Sequence, residues 1–431
     1  MKLMHNSLRL AVLATATFSF SAHATNGYQL IGVGAYQKSL GGAVTANPGS
    51  AMTAVSNPAG MARVGARADF SMEAFMPDRS VDFGAMGGES ENSAVDMYGV
   101  PAIGWTAPTS EGSDYYFGGG MFGTSGMGVD YAQTLMMPAS PMPNPDMYWE
   151  GYSNISFWQM APSMAWNVDN RLSVGASLNI DYQSVAFMQR VSADTDGDGN
   201  AETVMQNFDL SRGASGFGLG FSAGVLYDVT DQVTLGFNYK SKQHFDALEY
   251  QLGYGDISNG PGQEGPAGTY KLDLDFPQQA AAGVAFRAND ALTVSADIKW
   301  INWSDTMDEL SVDGPNGMSV AMDPGWDDQT VYALGVAYKV NNKVNVRGGY
   351  NYAESPFGED KVSSNLILPA IVETHYTLGM DYRLNKQWEL GLHYMYVPEK
   401  TLTAADTDPN APGAEISLSE TSMGMNIGYR F

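Results

Sequence analysis

Residues 25–65 read TNGYQLIGVGAYQKSLGGAVTANPGSAMTAVSNPAGMARVG. The stretch is rich in Gly, Ala and small polar residues and lacks period-2 alternation, so it does not read as strand. It closes on Asn57-Pro58-Ala59-Gly60, where the prolyl ring removes an amide donor and ends any helix begun near Ser50. From residue 66 onward the chain alternates. The expected organisation is therefore a plug, residues 25–65, inside a wall, residues 66–431.

Ahead of the plug, residues 1–24 have the form of an export signal. Lys2 and Arg9 mark a basic start, Leu10 to Phe20 is apolar, and Ala22-His23-Ala24 is a small-x-small cleavage site. Of the 22 basic residues, losing Lys2 and Arg9 leaves 20 against 47 acidic ones, a net charge of −27. Phosphate contacts need clustered Lys and Arg, so nucleic acid is excluded as a partner. With no cysteine, neither a disulfide framework nor a thiolate site can form. Past residue 24 no apolar run approaches the roughly 20 residues of a membrane helix. A membrane barrel is still open, because its signal is dispersed alternation.

The last segment alternates most cleanly. Met423, Met425, Ile427, Tyr429 and Phe431 share one face, and Ser422, Gly424, Asn426, Gly428 and Arg430 the other. Comparable apolar rows begin at Leu172, Val233, Leu292 and Trp388. The segments exceed the strands of a soluble sandwich, and aromatics recur near their ends (Trp300 with Trp303, Tyr394 with Tyr396), as in interfacial girdles. Six short connections, at Pro108 to Asp114, Asp169-Asn170, Thr230-Asp231, Asn289-Asp290, Asn341-Asn342 and Asn385-Lys386, alternate with seven long ones. Thirteen connections join 14 strands. The predicted fold is all-β: a 14-stranded antiparallel transmembrane β-barrel of the Gram-negative outer membrane, plugged by a small N-terminal hatch, with short turns toward the periplasm. Its expected surroundings are outer-membrane lipid and lipopolysaccharide, and a monomer is expected.

Two loops carry chemistry. In Asp194-Thr195-Asp196-Gly197-Asp198-Gly199-Asn200-Ala201-Glu202, side chains of Asp194, Asp196, Asp198, Asn200 and Glu202 follow calcium-loop spacing with Gly199 at the sharp turn. Met205 replaces the bidentate Glu at the twelfth place, so a solvated acidic turn is the competing reading. No cofactor is required. Between Met121 and Met164 lie eight of the 25 methionines. Leu135-Met136-Met137, Met142 and Met147-Tyr148-Trp149 fall in a Pro-rich stretch expected to be irregular, and with Phe122 they are candidates to capture an apolar ligand. Loops packing on one another would use the same residues.

The plug carries a further signature. Gly27-Tyr28-Gln29-Leu30, then Gly32 and Gly34, Gly41-Gly42-Ala43 and Ser56-Asn57-Pro58-Ala59-Gly60-Met61-Ala62 resemble the hatch of the FadL/TodX family of outer-membrane transporters for long-chain fatty acids and hydrophobic compounds. The resemblance implies capture of a fatty acid or hydrocarbon in an outer apolar groove. It also implies sideways release through a gap in the third strand beside the Asn57, Pro58, Ala59 turn. Here that strand reads Gly123-Thr124-Ser125-Gly126-Met127-Gly128, where glycines suit either a break in pairing or close packing on the hatch. Arg212, Lys240, Lys299 and Arg347 are inward-facing candidates for a ligand carboxylate. Without the resemblance an acidic, cation-leaning porin would be preferred. A lipid hydrolase is disfavoured, because His244, His375 and His393 accompany no nucleophile motif.

Overall fold

The computed structural model describes residues 26–139 and 145–431. The leader and Met142 lie outside the described residues.

Fourteen antiparallel strands form the wall. They are β1 (Arg67–Asp82), β2 (Tyr98–Pro108), β3 (Tyr115–Met137), β4 (Asp146–Met160 and Ser163–Asn167), β5 (Leu172–Asp194), β6 (Ala214–Asp228), β7 (Val233–Lys240), β8 (Gln279–Arg287), β9 (Leu292–Ile301), β10 (Gln329–Lys339), β11 (Val344–Tyr352), β12 (Thr374–Arg383), β13 (Trp388–Thr403) and β14 (Glu415–Arg430). Each pairs with its neighbours, and β1 pairs with β14 from Arg67↔Arg430 to Asp82↔Glu415, so the sheet closes. Closure removes the exposed edges that a membrane would not tolerate. The outward row read from the alternation at Met423, Met425 and Ile427 is exposed as a lipid face, and so are Leu334, Val336 and Tyr338.

Several strands run well past the membrane. A crossing needs about 9–11 residues, whereas β3 and β5 have 23 each. The long connections are correspondingly shorter than expected. Leu135-Met136-Met137 and Met147-Tyr148-Trp149, expected in an irregular loop, are paired strand, with Leu135 opposite Tyr148 and Met137 opposite Met147. The third strand is also not interrupted. β3 bulges between Gly123 and Ser125, and the break falls on β4, at Ala161-Pro162. A bulge bends a strand without ending it.

The hatch, residues 26–65, is compact and lies within the barrel. Short helices at Gly34–Ser39, Thr53–Ser56 and Met61–Val64 flank a 3-10 turn at Pro58–Gly60. It docks where wall strands offer inward glycines. Gly236, Gly349 and Gly379 leave no room for a Cβ beside Thr45, Gly41 and Ser39, and a Cβ at Gly104 would sit tightly against Ala51. Side chains of the wall fix it further. Arg67 Nη1 donates to Gly49 O (2.9 Å), Asn351 Nδ2 to Gly41 O (3.0 Å) and Ser295 Oγ to Ala43 O (2.8 Å). Lys38 pairs with Glu73 at 3.0 Å with both side chains buried. The main apolar core sits above the hatch, at the long-loop end, where the segments around Phe276, Trp303, Trp326 and Ile367 fold inward.

Candidate functional site: the wall gap beside the hatch

Between β2 and β3 the ladder runs only from Pro108↔Tyr116 to Ala102↔Phe122. Beyond it, β2 continues through Pro101 to Tyr98 paired with β1 alone. Pro101 has no amide hydrogen to give. β3 bends inward at its bulge and finds other partners. Leu30 N donates to Thr124 O (3.0 Å), and Gly126 N to Tyr28 O (2.8 Å). The hatch segment Tyr28–Leu30 thus replaces β2 along this stretch. The five residues Gly123, Thr124, Ser125, Gly126 and Gly128 all lie on the stretch of β3 that has lost β2 as a partner. The hydroxyls of Thr124 and Ser125 are buried there without a hydrogen-bond partner. Tyr98 reaches across, its hydroxyl 3.4 Å from Gly128 O.

The Asn57-Pro58-Ala59 turn is elsewhere. Asn57 Oδ1 accepts from Ala59 N (3.2 Å) and its amide donates to Thr45 O (2.7 Å) and, across to β6, to Val225 O (3.3 Å). Gly175 of β5 and Gly224 of β6 receive this turn at a distance that excludes any side chain. It is Tyr28–Leu30, not the Asn-Pro-Ala turn, that borders the gap.

Above Tyr28 the lumen is filled by rings. Tyr28 lies 4.6 Å from Trp303, Phe157 stacks on Phe276 at 4.3 Å, and Trp303 meets Trp326 at 5.3 Å. Burial pushes the Tyr28 hydroxyl far above the usual phenol range, so it is neutral. Beneath the rings, Gln29, Thr124, Asn238, Lys240, Gln279 and Lys299 line a cavity of about 60 Å³. Lys240 Nζ donates to Gln159 Oε1 (2.6 Å) and stands 5.2 Å over the Phe276 ring. Two of the inward candidates therefore converge. Arg347 instead donates to Ser39 Oγ of the hatch (2.6 Å) and pairs with Asp381, and Arg212 is exposed on a loop. The amides of Asn238 and Gln279 at this cavity carry no sequence signal beyond their inward register.

The capture residues divide. Trp149 is buried against Phe83 (5.6 Å) and Tyr131 (5.7 Å) at the outer end. Leu135, Met136 and Met147 are half-buried near it, and Met137 is exposed. Phe122 is not there. It packs with Val33, Met52 and Met61 at the lower face of the hatch, because the ladder below the bulge turns its side chain inward.

At the tip of the long β5 hairpin, carboxylate oxygens of Asp194, Asp196, Asp198 and Glu202 lie within 4.8 Å of one another. Asp194 accepts from Gly199 N and Gly197 N, both at 2.8 Å, and those backbone bonds hold its carboxyl below the usual range. Asn200 turns its amide toward Asp198, donating at 2.9 Å.

Comparison with known proteins decides the family. Residues 11–431 match the family described as outer membrane protein transport protein (OMPP1/FadL/TodX). The chain belongs to this family. Its members are transport proteins of the outer membrane rather than enzymes, and this chain is an outer-membrane β-barrel. Outer membrane protein P1 of Haemophilus influenzae is 21% identical over 65% of the chain and 66% of its own length. The long-chain fatty acid transport protein of Escherichia coli is 25% identical over 50% of each. Among solved structures, the Pseudomonas putida toluene transporter TodX superposes with a TM-score of 0.72 at 23% identity, covering 94% of this chain and all of that one. At that identity the likeness concerns the fold.

Proposed function

We propose that this protein takes long-chain fatty acids or other hydrophobic compounds passively across the outer membrane, capturing them at its outer end and releasing them sideways between β2 and β3. The observation that carries the reading is the lost pairing at Gly123 to Gly128, beside a hatch held to β1, β9 and β11 by hydrogen bonds and a buried ion pair. Each CH₂ is worth about 0.8 kcal/mol on leaving water, so a route past the lumen's aromatic rings to the membrane interior favours an apolar cargo. Outer-membrane lipid and, on the outer side, lipopolysaccharide surround the exposed apolar rows.

The chain has no native cysteine, and a Cβ on Gly123 would lie 3.1 Å from Val100 Cγ1. A Val100→Cys/Gly123→Cys pair can therefore tie β2 to β3 across the gap. Oxidation is expected to stop uptake of labelled oleate or toluene and reductant to restore it. Undiminished uptake by the cross-linked protein would rule out sideways release here.

The paired cations of the inner cavity support a fatty acid as one cargo. Lys240 and Lys299 stand where aromatic packing gives way to the gap, suited to a carboxylate whose tail lies among the rings. The double variant Lys240→Met/Lys299→Met is expected to lose oleate uptake and retain hexadecane uptake. Equal loss of both would remove the headgroup role.

The converging carboxylates of the Asp194 turn favour a second, separate reading: calcium bound by Asp194, Asp196, Asp198, Asn200 and Glu202 outside the barrel.

A further inference from the structure

We propose that the periplasmic rim holds an anionic phospholipid of the inner leaflet by its phosphate, in a cleft formed by the turns after β10 and β12 and the end of β14. The distribution of unpaired charge points there. Among the described residues, six exposed cations make no ion pair: Arg171, Arg287, Lys339, Lys343, Arg383 and Lys386. All six lie at the short-turn rim. At the long-loop end every exposed or half-buried Lys and Arg has a carboxylate partner, for example Arg190 with Glu150, Lys271 with Glu249 and Lys361 with Asp323. In a protein of net charge −25, cations left without partners on one rim mark a surface whose counter-charge comes from outside the chain.

The cleft itself has about 590 Å³ and is lined by Lys343, Arg383, Lys386, Arg430, Asn342 and Asn385, with no carboxylate. Its height is set by the neighbouring residues. Tyr382, Leu384, Trp388 and Phe431 are exposed on the outer wall within two residues of these cations, and Trp388 packs on Tyr429 at 4.7 Å. Such an aromatic belt lies at headgroup level. Lys and Arg side chains just beyond it reach phosphates by extending their stems. Guanidinium and ammonium donors with two amides fit a phosphodiester, which offers acceptors only. An acidic polypeptide would meet the same charges but leaves the adjoining aromatic belt without a role.

The test uses the full chain, delipidated in detergent and supplied with phosphatidylglycerol or phosphatidylcholine of matched acyl chains. Bound lipid is counted by native mass spectrometry. Wild type is expected to retain phosphatidylglycerol preferentially, and Lys343→Gln/Arg383→Gln/Lys386→Gln to lower that retention on the order of a hundredfold, given about 1 kcal/mol per cation at an anionic leaflet. Lys271→Gln should change nothing, and heat-dependent electrophoretic mobility reports that each barrel is folded. Equal retention of both lipids, or no effect of the triple variant, overturns the proposal. Displacement of the lipid by millimolar inorganic phosphate would make this a soluble-phosphate site. Displacement by polyglutamate at lower concentration than by free phosphatidylglycerol would make it a peptide-docking surface. Either result replaces the lipid assignment.

Discussion

Asp297 on β9 and Thr45 in the hatch are joined by one carboxylate oxygen. Asp297 Oδ2 accepts the Thr45 amide at 2.8 Å and the preceding Val44 amide at 2.9 Å. Two consecutive N–H groups converging on one fixed oxygen set both the position and the orientation of the chain there. Asp297→Ala removes their shared acceptor, and leaving buried donors unsatisfied costs roughly 1–3 kcal/mol. Asp297→Asn keeps a carbonyl oxygen in reach. Planar-bilayer recordings should show steady openings in the alanine variant and a closed baseline close to wild type in the asparagine variant.

Gly224 does comparable work by absence. Any Cβ placed there would overlap Asn57 Oδ1, the atom that closes the Asn-Pro-Ala turn onto Ala59. Gly224→Val suits a strand, so the barrel should assemble while the hatch is pushed from the wall. Gly348→Val is the matched control, since its Cβ would meet only ordinary contacts, the nearest 3.6 Å away. Limited proteolysis is expected to cut the hatch of the Gly224 variant and spare that of the Gly348 variant.

The approach of the hatch to the gap depends on Gly27. Its φ is +66°, and a Cβ would lie 2.6 Å from the Trp303 ring. Gly27→Ala therefore meets a left-handed backbone cost of about 1 kcal/mol together with a clash against a buried ring. Tyr28–Leu30 should then leave the edge of β3. Amide exchange at Gly126, whose N–H donates to Tyr28 O, would rise severalfold while exchange in β11 and β12 stays slow.

What the sequence made legible and what it hid follow from contact distance along the chain. The strands were readable because alternation is local and turns such as Asn341-Asn342 or Asn385-Lys386 signal themselves. Asn341 and Asn385 each cap their own turn amides. The Asn-Pro-Ala turn was readable as a turn, but its wall partner Gly224 lies 167 residues on, and no local pattern names it. Phe122 was misplaced for a related reason. One bulge at Gly123 to Ser125 changes which side chains face the hatch and which the apolar core above it, and composition does not register a one-residue slip. The aromatic core was not legible, and Trp303, expected in an interfacial girdle, is instead fully buried in it, because Tyr28, Phe157, Phe276, Trp303 and Trp326 come from five separate segments that meet only when loops fold inward.

The Asp194 turn gives a prediction whose pH dependence follows from one lowered carboxyl. The Gly199 and Gly197 amides hold the Asp194 carboxyl below its ordinary value. A depressed carboxylate stabilises the folded turn above its unfolded pKa of about 3.9, and the contribution disappears as pH falls through the lower, folded value. Calcium binding measured by calorimetry should thus weaken as pH falls through the lowered Asp194 value. Asp198→Asn is expected to weaken it at least tenfold at neutral pH by removing one ligand charge. Asn200→Ala should weaken it less, since that amide donates to Asp198 and must turn over to offer its oxygen. An absence of binding at millimolar calcium would identify the cluster as a solvated acidic turn, held by its own backbone amides.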